Sequence, residues 1–380
     1  MNIIRFVTLL FIGLQTVVYG TDSLSSKISP YIENESLAGC VAMVVDYKSE
    51  LHAEALGYSD IEKKKEMSLD SIFWIASQSK SMTAVAVMSL VDQKKIALDD
   101  SVSKYLPEFS RQLAFVQKQE KRTVLEPPIR PITIRDILSH MSGLPFRSEL
   151  EQPTLDALPI KVAVGSYALS PLQAHPGMKY QYSNAGIKTA ARVLEVVTGQ
   201  SYESYMDDFL FGPLGMKDTT FWPTSDQVSR IANSYRPNKG KNGLEKTMIT
   251  QLTYPLSNRL NRFPMPGGGL FSTARDTSKF CQMMLNKGVW KGKRYLSENA
   301  FEELTKKQTP DSIKLKYGLG FSLGDGSFGH GGAHSTNMEI RQKDGIALIW
   351  MVQHAGFPKN GRNAQSEFKS WAINQFAKKR

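Results

Sequence analysis

A ten-residue run that is apolar on nearly every side places the strongest constraint on the fold. It spans residues 82–91 and reads MTAVAVMSLV. A helix with apolar residues around its whole circumference lies inside a protein, whereas a surface helix is apolar along one stripe. The chain has to surround this helix, and its 380 residues suffice for one large domain or two closely packed ones. The N-terminal end of the helix is therefore held inside the protein as well.

Strand patterns occur at both ends of the chain, and short helical segments fill the middle. Strands are predicted at residues 40–47, 51–58, 315–323, 338–342 and 346–353. Helices are predicted at residues 23–35, 134–139, 183–198, 201–209 and 363–378. This order predicts an α/β fold: residues 21–100 and 267–380 form a sheet domain, and residues 101–266 form a mainly helical inserted domain. The groove between the two domains is the expected place for a site.

The first twenty residues, MNIIRFVTLLFIGLQTVVYG, have the pattern of a cleavable secretory signal. Arg5 is followed by an apolar stretch at residues 6–14, and compact residues occur at Val18 and Gly20. The alternative is an uncleaved anchor, but the apolar stretch is shorter than the roughly 20 residues that span a bilayer. We expect cleavage near Gly20, a periplasmic or secreted protein, and no stable membrane insertion after cleavage.

Composition and charge exclude several classes of protein. With 41% hydrophobic and 22% charged residues, the chain matches neither a disordered nor a fibrous protein. The formal net charge of +11 could favour anionic partners. However, lysine and arginine are scattered along the chain and no nucleic-acid-binding motif is present, so we interpret them as solvated surface. We expect a small-molecule partner and no nucleic acid, and the sequence leaves the oligomeric state open.

The two cysteines, Cys40 and Cys281, do not form a disulfide framework or a cysteine-rich zinc site. Cys40 belongs to a predicted strand and Cys281 to a predicted helix. A single bridge and two buried free thiols both remain open.

Ser77 and Lys80 stand three residues apart at the start of the apolar run, in IASQSKSMT. Side chains at this spacing share one face of a helix and can touch. A serine hydroxyl becomes a good nucleophile when a base takes its proton, and a buried lysine with a lowered pKa can be that base. The alternative is a helix cap followed by a solvated lysine.

Two further motifs can place polar groups in the groove. In KYQYSNAG, Tyr182 precedes a helix and can project its phenol, and the Asn184 amide can donate to a substrate carbonyl or orient a lysine. In FGHGGAHST, glycines allow close approach to a ligand, so His330 can form a wall and backbone amides can form an oxyanion hole. His330 and His334 are separated by glycines and lack a nearby carboxylate, so we predict no metal and no cofactor.

Together, in this order, the motifs resemble those of the serine β-lactamase and penicillin-binding-protein superfamily, in the branch of class C β-lactamases, DD-peptidases and esterases. FWIASQSKSMT is similar to the Ser-x-x-Lys element, YSN to Tyr-x-Asn, and HGG to the third element. Flanking phrases ITIRDILSHMSGLP, GGGLFSTARDTSKFCQMML and YGLGF also fit, so the resemblance runs from about residue 28 to the C-terminal helix. It implies an antiparallel sheet flanked by helices, formed from both chain ends.

The resemblance also implies roles for the motif residues. Ser77 would attack a carbonyl and become acylated, while Lys80 and Tyr182 share its proton, and which of the two is the base stays open. Asn184 would bind Lys80 and the acyl chain of the substrate. Water would then release the acyl group.

At the third element, the resemblance implies that Gly332 and the N–H groups of Ser77 and Ala333 surround the oxyanion. His330 takes the place of the lysine found in many lactamases, so the cation that holds the carboxylate of penicillins is replaced by a mostly neutral ring. We therefore expect an ester or small amide as substrate. The alternatives are a class C-type β-lactamase or D-Ala-D-Ala carboxypeptidase, and a non-catalytic acylated sensor.

Overall fold

The computed structural model describes residues 23–119 and 122–378 of the chain. The predicted signal peptide, residues 1–20, lies outside the described residues. In chain order the α-helices are α1 Leu24–Glu33, α2 Ser79–Asp92, α3 Ile134–Ser139, α4 Ile160–Ala168, α5 Asn184–Thr198, α6 Tyr202–Met206, α7 Gly212–Leu214, α8 Ser225–Arg230, α9 Ala274–Leu285, α10 Glu298–Thr305 and α11 Asn363–Phe376.

The strands come mainly from the two ends of the described chain. They are β1 Gly39–Val45, β2 Glu50–Asp60, β3 Lys65–Glu66, β4 Phe73–Trp74, β5 Ala114–Gln119, β6 Arg122–Glu126, β7 Ser234–Pro237, β8 Leu244–Thr247, β9 Phe271–Ser272, β10 Val289–Trp290, β11 Lys293–Arg294, β12 Ser322–Gly324, β13 Ser327–Gly331, β14 Asn337–Arg341 and β15 Ile346–Met351. Among the described residues, seven of these strands form one sheet in the order β12-β13-β14-β15-β1-β2-β3. Neighbours in this sheet run antiparallel.

Strand β1 shows why the sheet is covered on both faces. Successive side chains of a strand point to opposite faces. Val41 and Met43 belong to the core shared with α2 and α9. Cys40 and Ala42 belong to a second core, shared with α1 and α11. The sheet is therefore a central layer between two sets of helices, and the predicted fold class, an α/β architecture with an antiparallel sheet flanked by helices, is confirmed.

Helix α2 lies in the larger core, and it is buried from Ser79 to Leu90. It begins at Ser79, three residues earlier than the apolar run predicts, because its first residues are polar but buried. One of them, Ser81, donates from its Oγ to the carbonyl oxygen of Gly320 at 2.6 Å. The start of the helix is therefore enclosed by protein rather than by water.

The strand predicted at residues 315–323 is wrong except at its last two residues, which belong to β12. Tyr317 to Phe321 form a loop with one isolated bridge, Tyr317 to Ser322, and the Gly320 N–H donates to the Leu138 carbonyl oxygen in α3 at 2.9 Å. The ladder begins only at Ser322, the first residue of β12. The loop packs between α2 and α3, which brings Tyr317 into the interior.

The middle of the chain contains helices together with two hairpins, β5–β6 and β7–β8. The boundaries of an inserted domain, at residues 101 and 266, stay a prediction.

A buried ion pair fixes the loop before α4, because Lys188 Nζ lies 2.5 Å from Glu151 Oε1 and both side chains are almost inaccessible. Tyr167 also donates to Glu151, at 2.7 Å.

Cys40 and Cys281 are both free and buried. They lie in cores on opposite faces of the sheet, so they cannot pair, and the reading as two buried thiols is the correct one. Within residues 23–119 and 122–378, no helix has the length and apolar character needed to span a membrane.

Candidate active site

The backbone turns sharply at Ser77. Residues Ala76–Gln78 form a single 3-10 turn that continues directly into α2. Ala76 has a φ of 45°, in the left-handed region that costs a residue with a side chain about 1–3 kcal/mol. Ser77 is partly exposed, while Gln78 and Lys80 are buried. The strained turn therefore presents the serine to solvent at the buried end of a helix.

The turn is held against a second segment by the short pair β4–β9. The Ile75 N–H donates to the Leu270 carbonyl oxygen at 3.0 Å, and Trp74 Nε1 donates to the Gly268 carbonyl oxygen at 2.6 Å. These bonds place the glycine-rich segment, residues 267–269, beside the first turn of α2.

Lys80 has three oxygen atoms around its Nζ. Ser77 Oγ lies at 3.1 Å and Asn184 Oδ1 at 2.7 Å, and the Gly267 carbonyl oxygen is a third, close partner. The lysine is completely buried. Burial lowers its pKa well below the ordinary value, because burial penalises the charged form.

This arrangement suits a neutral amine. A neutral lysine has two N–H donors and one lone pair, whereas the ammonium form has three donors. The oxygens of Asn184 and Gly267 are pure acceptors, so they take the two N–H groups and leave the lone pair facing Ser77 Oγ. The geometry and the lowered pKa both favour Lys80 as the acceptor of the Ser77 proton.

Tyr182 and Asn184 flank the first turn of α5. Ser183 caps this helix, and its Oγ accepts from the Gly186 N–H at 2.9 Å. The Tyr182 phenol neighbours the Ser77 side chain, and Lys80 Nζ lies 4.6 Å from the centre of its ring. Burial raises the pKa of Tyr182, so the phenol keeps its proton at neutral pH.

The end of strand β13 forms another side of the site. His330 lies on β13, with its ring 6.1 Å from the Tyr182 ring, and burial lowers its pKa to about 3. Gly332 follows the strand, and a side-chain Cβ there would lie 2.7 Å from the Ile75 carbonyl oxygen. Only glycine allows the chain here to approach the backbone before Ser77 this closely. Ala333 is exposed in the turn that follows.

His334 does not share partners with His330. Its Nδ1 lies 3.0 Å from Ser234 Oγ, and its ring packs edge-on against Trp74 at 4.9 Å. Within the described ranges no group of three His, Cys, Asp or Glu side chains could hold a metal ion.

The structure therefore brings together Ser77, Lys80, Tyr182 and Asn184 by direct contacts, and His330 through the Tyr182 ring. Sequence reasoning missed three participants: Gly267, His140 and Tyr317. Each lies in a phrase that matched the family pattern, GGGLF, LSHMSG and YGLGF. The phrases were therefore a signal, but they did not show which of their residues face the site.

Two curated relatives are similar over most of the chain. "Protein Rv1367c" of Mycobacterium tuberculosis is 29% identical over 366 residues, covering 88% of this chain and 90% of that protein. "Teichoic acid D-alanine hydrolase" of Staphylococcus aureus is 25% identical over 307 residues, covering 80% of this chain and 68% of that protein.

Solved structures show the same fold at lower identity. "Simvastatin Synthase (LovD)" from Aspergillus terreus superposes with a TM-score of 0.79 at 18% identity, covering 93% of this chain and 98% of its own. "EstCE1, a hydrolase with promiscuous acyltransferase activity" gives 0.75 at 22% identity, covering 92% and 97%. The family model described as Beta-lactamase matches residues 24–368. This range includes the four site residues Ser77, Lys80, Tyr182 and Asn184. The chain therefore belongs to the β-lactamase family of serine hydrolases.

Proposed function

We propose that the chain is an exported serine hydrolase that cleaves carboxylic esters or small amides through an acyl-enzyme on Ser77. The observation that carries this proposal is the environment of Lys80, whose two N–H groups are taken by Asn184 and Gly267 while its third position faces Ser77 Oγ. A buried base aimed at a hydroxyl on a strained, partly exposed turn is the arrangement that nucleophilic catalysis needs.

In the proposed reaction, Ser77 Oγ attacks the substrate carbonyl as its proton passes to Lys80 Nζ. The backbone N–H groups of Ser77 and Ala333 would bind the oxyanion. Tyr182 then gives its phenolic proton to the leaving oxygen or nitrogen and recovers one from Lys80. Water, deprotonated by Lys80, attacks the acyl-serine in the second half of the cycle; the bond to Ser77 Oγ breaks, Lys80 returns the proton to this oxygen, and the acid is released.

The charge at His330 supports an ester or amide over a β-lactam. Burial holds the pKa of this ring at about 3, so the ring carries no charge at neutral pH. The carboxylate of a penicillin or cephalosporin would therefore find no cation from this side chain.

The test compares three substrate classes with one preparation: p-nitrophenyl esters of graded acyl length, a chromogenic cephalosporin and a D-Ala-D-Ala peptide. We expect turnover of esters beyond one equivalent and loss of turnover in Ser77→Ala. Intact mass spectrometry after a fluorophosphonate should show one adduct, on the Ser77 peptide. A cephalosporin kcat/KM within tenfold of the best ester would contradict the substrate assignment.

A D-alanyl ester or D-alanyl peptide of the cell envelope is the second candidate. A relative named for hydrolysis of D-alanine from teichoic acid favours it, as does the net charge of +11, which suits an anionic polymer. Release of D-alanine from D-alanylated teichoic acid faster than cleavage of the best p-nitrophenyl ester would make it the function. A stoichiometric burst without steady-state turnover would instead indicate an acylated sensor.

Export rests on the pattern of residues 1–20 alone. N-terminal sequencing of protein from the periplasm or medium should find a mature chain that begins near Thr21. Recovery of an intact N-terminus from the cytoplasm would contradict export without affecting the hydrolase proposal.

A further inference from the structure

A chain of three buried side chains links the helical side of the site to strand β13 of the sheet. His140 ends α3, Tyr317 lies in the loop before β12, and His330 lies on β13. His140 Nε2 lies 3.2 Å from Tyr317 Oη, and Tyr317 Oη lies 3.1 Å from His330 Nε2. All three side chains are almost inaccessible to solvent.

The two ends of this chain fix the direction of every hydrogen bond in it. The Ser183 backbone N–H, which can only donate, points at His140 Nδ1 at 3.1 Å, so this nitrogen is an acceptor. His330 Nδ1 lies 2.7 Å from the Gly331 carbonyl oxygen, which can only accept, so this nitrogen carries a hydrogen.

The middle of the chain then follows. His140 carries its hydrogen on Nε2 and donates it to Tyr317 Oη. Tyr317 donates its own hydrogen to His330 Nε2, and His330 donates from Nδ1 to Gly331. With both rings neutral, the two histidines are thus opposite tautomers.

At its His140 end, this hydrogen-bonded chain contacts the backbone on both sides of Tyr182. The Ser183 N–H bonds the His140 ring, and the Gln181 N–H donates to the His140 carbonyl oxygen at 2.8 Å. His140 therefore holds the residues on both sides of Tyr182, and its ring packs against the Tyr182 ring at 4.5 Å.

We propose that His140, Tyr317 and His330 are positioning residues that hold Tyr182 against Ser77 through this one-directional chain, which is intact only while both histidines are neutral. The proposal rests on the proposed role of Tyr182 in the Ser77 reaction. A proton added to His140 would set two donors, Nδ1–H and the Ser183 N–H, against each other. A proton added to His330 would leave the Tyr317 hydroxyl hydrogen without its acceptor.

Burial keeps both rings neutral. It lowers the pKa of His330 to about 3 and that of His140 well below its ordinary value, and Lys80 acts in the same direction whenever it is protonated. The titratable and charged groups around the rings are Lys80 from α2, Tyr180 and Tyr182 from the segment before α5, Tyr317, and on the opposite face of the sheet Glu339, Arg341 and Lys369.

The first test reads the tautomers directly and does not depend on activity. In the full chain with ¹⁵N-labelled histidine, two-bond ¹H–¹⁵N spectra of the six histidines are assigned by single His→Asn substitutions. We expect His140 as the Nε2–H tautomer and His330 as the Nδ1–H tautomer, unchanged from pH 5 to 8. The same tautomer at both positions, or titration of either ring in that range, would overturn the proposal.

The second test uses Tyr317→Phe, with Tyr180→Phe as the matched control. Tyr180 packs on the same rings, 5.7 Å from the Tyr317 ring and 5.8 Å from the His140 ring, but lies outside the chain. Tyr317→Phe frees the His330 Nε2 lone pair, so the pKa of that ring should rise. A displaced Tyr182 should cost on the order of tenfold to a hundredfold in kcat/KM for an ester.

The ratio of variant to wild-type kcat/KM should fall further from pH 7.5 to 5.5, whereas Tyr180→Phe keeps a ratio near one. An unchanged kcat/KM, or a loss equal at every pH, would refute the positioning chain. If Tyr317→Phe fails to fold, the wild-type tautomers still decide. If fluorophosphonate does not label Ser77 but the two tautomers are opposite, the proposed hydrolase function fails while the hydrogen-bonded chain His140–Tyr317–His330 is still supported.

Discussion

The substitution Gly267→Ala tests the geometry of the proposed base, Lys80, while both Ser77 and Lys80 are kept. A Cβ at this position would lie 2.6 Å from Asn184 Oδ1 and 3.4 Å from Lys80 Nζ. Ordinary van der Waals contact begins at 3.4 Å, so the Asn184 amide has to retreat by most of an ångström. Because that amide takes one of the two N–H groups of Lys80, its displacement turns the lone pair away from Ser77. A misplacement of about 1 Å costs on the order of a hundredfold in rate.

The matched control is Gly268→Ala, one residue further on. There the nearest atom to a new Cβ is the Met265 methyl carbon, the flexible end of a side chain, at 2.9 Å. We expect the Gly267 variant to lose roughly a hundredfold in kcat/KM for a p-nitrophenyl ester and the control to lose less than threefold. Thermal unfolding of both variants reports whether either is destabilised. Equal losses in the two variants, or a Gly267 variant within threefold of wild type, would refute the assignment of Lys80 as an oriented base.

Three further predictions follow from buried groups. Because Lys80 must be neutral to accept a proton and burial lowers its pKa, ester kcat/KM should rise with pH to a plateau whose midpoint lies well below 10.5; a midpoint near 10.5 would contradict the base assignment. Glu151→Gln leaves the Lys188 ammonium buried without its counterion, so urea unfolding should show a loss of about 3–5 kcal/mol, while Glu149→Gln at an exposed position should show almost none. Neither Cys40 nor Cys281 should react with a maleimide in the native protein, and both should react after denaturation; modification of the native chain would contradict their burial.

The sequence was most informative where chemistry depends on local spacing. Ser77 lies in the turn that leads into α2 and Lys80 in the first turn of α2, and the spacing of three residues brings their side chains together. Tyr182 and Asn184 precede and begin α5 at a position marked by a serine cap. The strands at 40–47 and 346–353 were readable because their residues are buried on both faces of the sheet.

Other features depend on contacts between distant segments, which spacing does not reveal. Gly267 meets Lys80 only because β4 pairs with β9. Tyr317 reaches His330 because the loop that carries it bonds to α2 and α3. The sequence was enough to place His330 in the wall of the groove. The orientation of its ring depends on Tyr317, which the HGG motif does not contain.

The pairing of β1 with β15 has a consequence for the order in which the protein is made. Strand β1 leaves the ribosome early, yet its register matches Val41 with Met351, near the far end of the chain. Until synthesis is almost complete, one edge of β1 has no neighbour, and the core beneath α9 cannot close. Pairings so distant along the chain form late and slowly. The central pairing of the sheet therefore depends on the last strand of the chain to be made, although its partner β1 is one of the first.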